Sequence, residues 1–95
     1  MLKENVSQIG TDFKMEDMLI DLVEPCYGFS IVDNDGFLHQ YEIGNKYRDA
    51  DIINCFVHHE SSSLFMAVKF NDMYFMVDFD NIIKYEILED DLPFR

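Results

Sequence analysis

Cys55, His58, His59 and Glu60 fall within one short string, CFVHHE. Each is a zinc ligand by chemical type. On an extended chain, however, side chains alternate, so Cys55 and His59 point to one side and His58 and Glu60 to the other. Two ligands per face do not close a tetrahedral site, and no C-x-x-C and no second Cys/His pair completes one. Cys26 and His39 reach Cys55 only if the fold carries them there. The same residues spell a thiol nucleophile with a histidine base, Cys55 with His59 or His39. No local signature accompanies that pairing, and a cysteine in an apolar strand is ordinarily inert core.

The stretch IVDNDGFLHQYEI poses a second chemical question. Asp33, Asn34 and Asp35 ahead of Gly36 resemble the start of a calcium loop. With Gly36 at the sixth position of an EF-hand loop, the first ligand position falls on Ile31, which has no ligand oxygen. Asp33, Asp35 and Glu42 fit the third, fifth and twelfth positions. The flanks GFSIVD and GFLHQYEI are rich in Phe, Ile, Tyr and Val and read as strands, not helices. A turn on Asp33–Asp35, with Gly36 supplying a positive φ, joins two such strands. The expectation is a β-hairpin without metal.

Paired carboxylates are too many for any one pair to single itself out as catalytic. Asp78, between Val77 and Phe79, is the best general-acid candidate, and its alternation places it on the solvent side. The chain has no glycine-rich phosphate loop, no G-x-S-x-G and no H-E-x-x-H. The expectation is therefore a protein without catalytic residues, metal or cofactor.

Charge is the strongest compositional fact. Nineteen Asp and Glu stand against seven Lys and Arg, a net −12 over 95 residues. The cations are scattered, and only Lys46 and Arg48 are close neighbours. Direct binding to nucleic acid or to an anionic membrane needs clustered cations and is disfavoured. A partner is expected to be basic. Hydrophobic residues make up 48% of the chain, enough for one folded domain over residues 1–95. No run has signal-peptide character or membrane-spanning length, so a cytoplasmic protein is expected. Cys26 and Cys55 could pair in an oxidising compartment, and without an export signal they are expected as reduced thiols.

The elements that must position these residues follow from periodicity. Residues 1–10 read as a polar lead. In TDFKMEDMLIDLVEP, Met15, Met18, Leu19, Leu22 and Val23 fall on one face of a helix, predicting a helix over 11–24 that ends before Pro25. Its other face carries Lys14, Asp17, Asp21 and Glu24. From Gly28 the period becomes two, predicting strands near 28–33, 36–43, 51–59, 64–70, 73–79 and 82–88. Short turns at Asp33–Gly36, Glu60–Ser63, Asn71–Asp72 and Asp80–Asn81 make these successive antiparallel neighbours, with a further turn at Gly44–Asn45 leading to a short strand through Tyr47. The predicted fold class is α+β: a short N-terminal helix, then a β-meander over 28–88 of five to six strands, strongly twisted or partly barrel-like, and an acidic tail over 89–95.

One sheet face is unusual. Phe65, Tyr74 and Met76 lie opposite the regular core face, and one short helix cannot cover both sides of six strands. Either the sheet curls or the N-terminal segment covers them, or they form an exposed patch of the kind that binds proteins. Carboxylates on the helix (Asp17, Asp21, Glu24), at the turns and strand ends (Asp33, Asp35, Asp72, Asp78, Asp80) and in the tail (Glu89, Asp90, Asp91) are candidate partner contacts. In size, acidity and class the chain resembles small inhibitors of phages and mobile elements, among them DNA-mimic anti-restriction and anti-CRISPR proteins. That resemblance implies a non-enzymatic inhibitor docking on a basic, nucleic-acid-binding protein, without implying particular residues. The alternatives are a self-associating adaptor, a homodimer using the apolar face of Phe65, Tyr74 and Met76, and a small metal- or thiol-dependent enzyme.

Overall fold

The computed structural model describes residues 1–19 and 22–89. The fold is built almost wholly from antiparallel strands in two sheets. In chain order the strands are β1 (Lys3–Gly10), β2 (Val23–Cys26), β3 (Gly28–Asp33), β4 (Leu38–Glu42), β5 (Lys46–Tyr47), β6 (Ala50–His58), β7 (Ser63–Phe70), β8 (Met73–Asp80) and β9 (Ile82–Leu88). The larger sheet runs β1-β8-β7-β6-β2, with β5 also on β6, and the smaller runs β4-β3-β9.

The α+β prediction is overturned. No α-helix forms among the described residues of 11–24, where the only helical element is a 3-10 turn at Met15–Met18. Lys14, at its N-cap, is extended and its side chain makes no capping bond. A helix needs its first N–H groups satisfied and several turns to repay nucleation, and this segment has neither. Val23–Cys26, predicted as helix end and loop, instead pairs along β6, Val23 with His58 through to Cys26 with Cys55. The edge of β6 offers hydrogen-bond partners that a short helix cannot match. Pro25 is tolerated there because β2 is an edge strand.

Residues 1–10 are likewise more than a polar lead. Lys3–Gly10 forms β1 and covers the outer edge of β8, pairing from Lys3 with Asp80 to Gly10 with Tyr74. Nor is the remainder one meander. The strands of 28–88 lie close to their expected ranges, and β6, β7 and β8 are joined by hairpins. The chain nevertheless changes sheet at three corners, around Tyr27, Ile43–Asn45 and Asn81. At the second, Ile43 N–H donates to the Tyr27 carbonyl and Gly44 N–H to that of Ile52. At the third, Asn81 takes φ +67°. The Asp80–Asn81 pair, expected as a hairpin turn, therefore turns β8 out of one sheet and β9 into the other. Asn71 and Asp72 do form the tight turn expected of them, both with positive φ.

The core lies between the sheets. Phe29 and Ile31 of β3 meet Ile52, Cys55 and Val57 of β6, Leu64, Met66 and Val68 of β7, and Val77 and Phe79 of β8. Phe29 and Phe79 pack edge to face at 5.7 Å, the favoured arrangement of two rings. A register shift at Ile53 lets both Ile52 and Cys55 face inward. Gly28 is required by close approach: a Cβ there would lie 2.4 Å from the Tyr41 carbonyl oxygen.

Candidate functional site

The outer face of the larger sheet gathers more of the candidate residues than any other region. Register places Phe56, Phe65 and Asp78 in one cross-strand row, with Ala67 and Met76 in the next and Lys69 and Tyr74 beyond. Phe56 is fully buried and stacks on Phe65 at 5.1 Å. Phe65, Tyr74 and Met76 are each half-buried. Their cover is the segment after β1: Phe13 lies 5.5 Å from the Tyr74 ring, and Asn54 Nδ2 approaches Met15 Sδ at 3.5 Å. Phe13, Met15 and Met18 are half-buried. The periodicity that suggests a helix in this segment thus marks the side chains that press on the sheet.

That cover is acidic outside. Asp12, Glu16 and Asp17 are exposed on the segment, and Asp78 and Asp80 are exposed on the same face of β8. Asn5 of β1 donates a hydrogen bond to Asp80 at 2.8 Å. Lys3 and Lys14 are also exposed there, and Lys69 lies over the Tyr74 ring at 5.5 Å. Asp72 is exposed in the turn before β8, at the Tyr74 end of the face.

The remaining candidate carboxylates lie elsewhere. Asp33 is 2% exposed. Its carboxylate accepts from the backbone N–H of Asp35 and Phe37, and His39 Nε2 lies at 2.9 Å. The His39 bond, with help from the two backbone donors, holds the Asp33 carboxyl well below the usual carboxylate range despite burial. The turn reading of Asp33–Gly36 is what the chain adopts, with Gly36 at φ +87°. Asp35 is exposed and pairs with the terminal ammonium of Met1. Glu24 pairs with His59 at 3.0 Å on the opposite edge of the sheet, and Glu89 is exposed after β9. Asp21, Asp90 and Asp91 lie outside the described residues.

The CFVHHE string straddles the end of β6, with Cys55–His58 in the strand and His59 and Glu60 in the turn after it. Cys55 is buried, His58 takes a hydrogen bond from the Ser61 backbone, His59 faces Glu24 and Glu60 is exposed. No group of three or more His, Cys, Asp or Glu suited to a metal occurs among the described residues.

A polar cluster that the sequence does not announce sits where β1 meets the other sheet. The Glu4 carboxylate accepts from Tyr41 Oη at 3.0 Å, Tyr47 Oη at 3.1 Å and Arg48 Nη2 at 3.2 Å. Burial, then the hydrogen bond to Glu4, raises both phenols above their ordinary range. Beside it, Val6, Ala50, Val68, Phe70 and Phe75 line a shallow cleft of about 250 Å³. It is the part of the inner face that the smaller sheet does not reach. A larger open cleft of about 610 Å³ is lined by Cys26, Tyr27, Ile43, Val57 and Ile87, with Glu24, His59 and Glu89 among its polar groups. Glu4 carries no local sign of its role, because its partners are about forty residues away.

Comparison with known protein families, with curated proteins and with solved structures finds no match for this chain.

Proposed function

We propose that this protein is a non-enzymatic acidic binding protein that docks on a basic partner through the outer face of its larger sheet. The partner class is a nucleic-acid-binding protein, and the mode is occupation of the cationic surface that nucleic acid would otherwise take. The observation that carries this reading is the gathering of Asp12, Glu16, Asp17, Asp78 and Asp80 on one side of a chain with net charge −12. Carboxylates on a rigid sheet and on its cover present negative charge to a positively lined groove, favouring fast, salt-sensitive association. An inhibitor of phage or mobile-element type, acting as a DNA mimic on a defence nuclease, fits this chemistry.

The test is capture from a host lysate, repeated after nuclease treatment and at high salt, using wild type and an Asp78→Lys/Asp80→Lys variant. The expected result is a basic protein that survives nuclease, is lost in high salt and is not captured by the variant. Both substitutions are on exposed positions, so circular dichroism of the variant should match wild type. Capture that is unchanged by charge reversal would overturn the reading.

A second reading, self-association, draws on the uncovered inner cleft, because Val6 and Phe70 are 50% and 44% exposed beside it. Sedimentation of wild type against Phe70→Glu decides it: a dimer that persists in high salt and is lost in the variant would favour assembly over inhibition.

A further inference from the structure

We propose that Cys26 and Cys55 form a reversible cross-strand disulfide that pins β2 to β6 at the corner where the chain passes between sheets. The two residues are direct register partners on adjacent antiparallel strands. Direct partners project from the same face, and Cys26 packs against the buried cluster that contains Cys55. Both are free thiols.

The phase of the ladder supports the geometry. Pro25 has no N–H, so its pair with Phe56 is the non-hydrogen-bonded kind. Independently, His59 N–H donates to the Leu22 carbonyl at 3.3 Å. Pair types alternate, so Cys26–Cys55, one step on from Pro25–Phe56 and two double steps on from Leu22–His59, is a hydrogen-bonded pair by either route, with Cα atoms about 5.5 Å apart. That lies within the disulfide range of about 4.4–6.8 Å. Cβ atoms in such pairs sit somewhat farther apart than a relaxed disulfide prefers, so closing the bond draws β2 inward. An edge strand of four residues can make that movement. The resulting bond is strained and readily reduced, as expected of a reversible staple.

Access is one-sided. Cys55 has no exposed surface, whereas Cys26 is half-buried and lines the larger cleft. A small disulfide such as oxidised glutathione therefore meets Cys26 first. The Cys26 thiolate attacks one glutathione sulfur, forming a mixed disulfide and expelling one glutathione thiolate. The Cys55 thiolate then attacks the Cys26 sulfur and expels the second. Two protein protons are lost and two electrons pass to the oxidant, giving one protein disulfide and two reduced glutathiones. Both steps are slow at neutral pH. Burial pushes the Cys26 thiol up to about 11, and burial with the nearby Cys26 and Glu42 pushes Cys55 up to about 12. The titratable groups around the pair are Glu24, Tyr27, Glu42, His59 and Glu89, and no Lys or Arg among the described residues lines the cleft.

The experiment incubates purified protein with oxidised glutathione between about pH 7 and pH 9, then denatures, alkylates and maps peptides by mass. The expected product is a monomer with no free thiol and a Cys26–Cys55 linked peptide, reversed by dithiothreitol. Its rate of formation should rise about tenfold per pH unit with the thiolate fraction. Cys55→Ala should stop at the glutathione adduct on Cys26. A wild-type end product that is a stable glutathione adduct, a Cys26-linked dimer, or two free thiols would overturn the proposal. The wild-type result decides without reliance on any variant's folding.

Discussion

The two faces of the larger sheet are covered by different means. The inner face packs against three hydrogen-bonded strands, and its Leu64, Met66 and Val77 have no exposed surface. The outer face is crossed by a single segment with one 3-10 turn, and Phe65, Tyr74 and Met76 beneath it remain half-buried. A sheet used as a cover satisfies its own backbone and brings a full row of side chains with every strand. A crossing segment brings a few anchors, here Phe13, Met15 and Met18. The inner face therefore carries the stability of the fold, and the outer face is the one free to carry acids, where the proposed partner would dock.

The sharpest way to test that division is Phe29→Ala. Phe29 is wholly buried between the sheets, and its loss should cost about 3–5 kcal/mol in denaturant unfolding. A much smaller cost would mean that the inner face is not the main core. Asp33→Asn tests the hairpin that holds the smaller sheet over that core. The folded Asp33 carboxyl is depressed below its unfolded value. Its contribution is therefore present above the unfolded pKa and is lost as pH falls through the folded one. Wild type should be more stable than the variant at neutral pH, and the two should converge in acid. Curves that stay parallel through acid pH would rule out the charged Asp33–His39 interaction as the cause.

Phe13→Ala addresses the outer cover. Phe13 is half-buried against Tyr74, so a loss of about 1 kcal/mol is expected. Increased binding of a hydrophobic dye should accompany it without unfolding. A loss as large as that of Phe29→Ala would erase the difference between the two faces. Glu24→Gln should matter least. Its pair with His59 is solvent-exposed on both sides, and a change within about 0.5 kcal/mol is expected, shrinking further in salt.

The strands from Gly28 to Leu88 were legible because alternation is local: GFSIVD, SLFMAVKF and MYFMVDFD each state which residues share a face. The turns at Asp33–Gly36 and Asn71–Asp72 were legible for the same reason, since positive φ is a property of those residue types. The helix was misread because Met15 and Met18 satisfy helical spacing while serving as anchors on a sheet. The strand character of Lys3–Gly10 was hidden, since nothing in KENVSQIG marks an edge strand except the bare edge of β8 that it covers. The outer-face candidates Asp17, Asp78 and Asp80 were named from charge alone, and their placement on one side was not visible. The Glu4 cluster left no trace, because its partners come from the β4 and β5 region.

By itself, then, the sequence determined the charge, the strand periods and the turns at Asp33–Gly36 and Asn71–Asp72. Tertiary structure alone decided that the strands divide into two sheets, that Val23–Cys26 extends along β6, and that Cys26 faces Cys55. The physical reason is that periodicity records how a segment meets an apolar surface, whereas strand pairing depends on which backbone edges elsewhere remain unsatisfied.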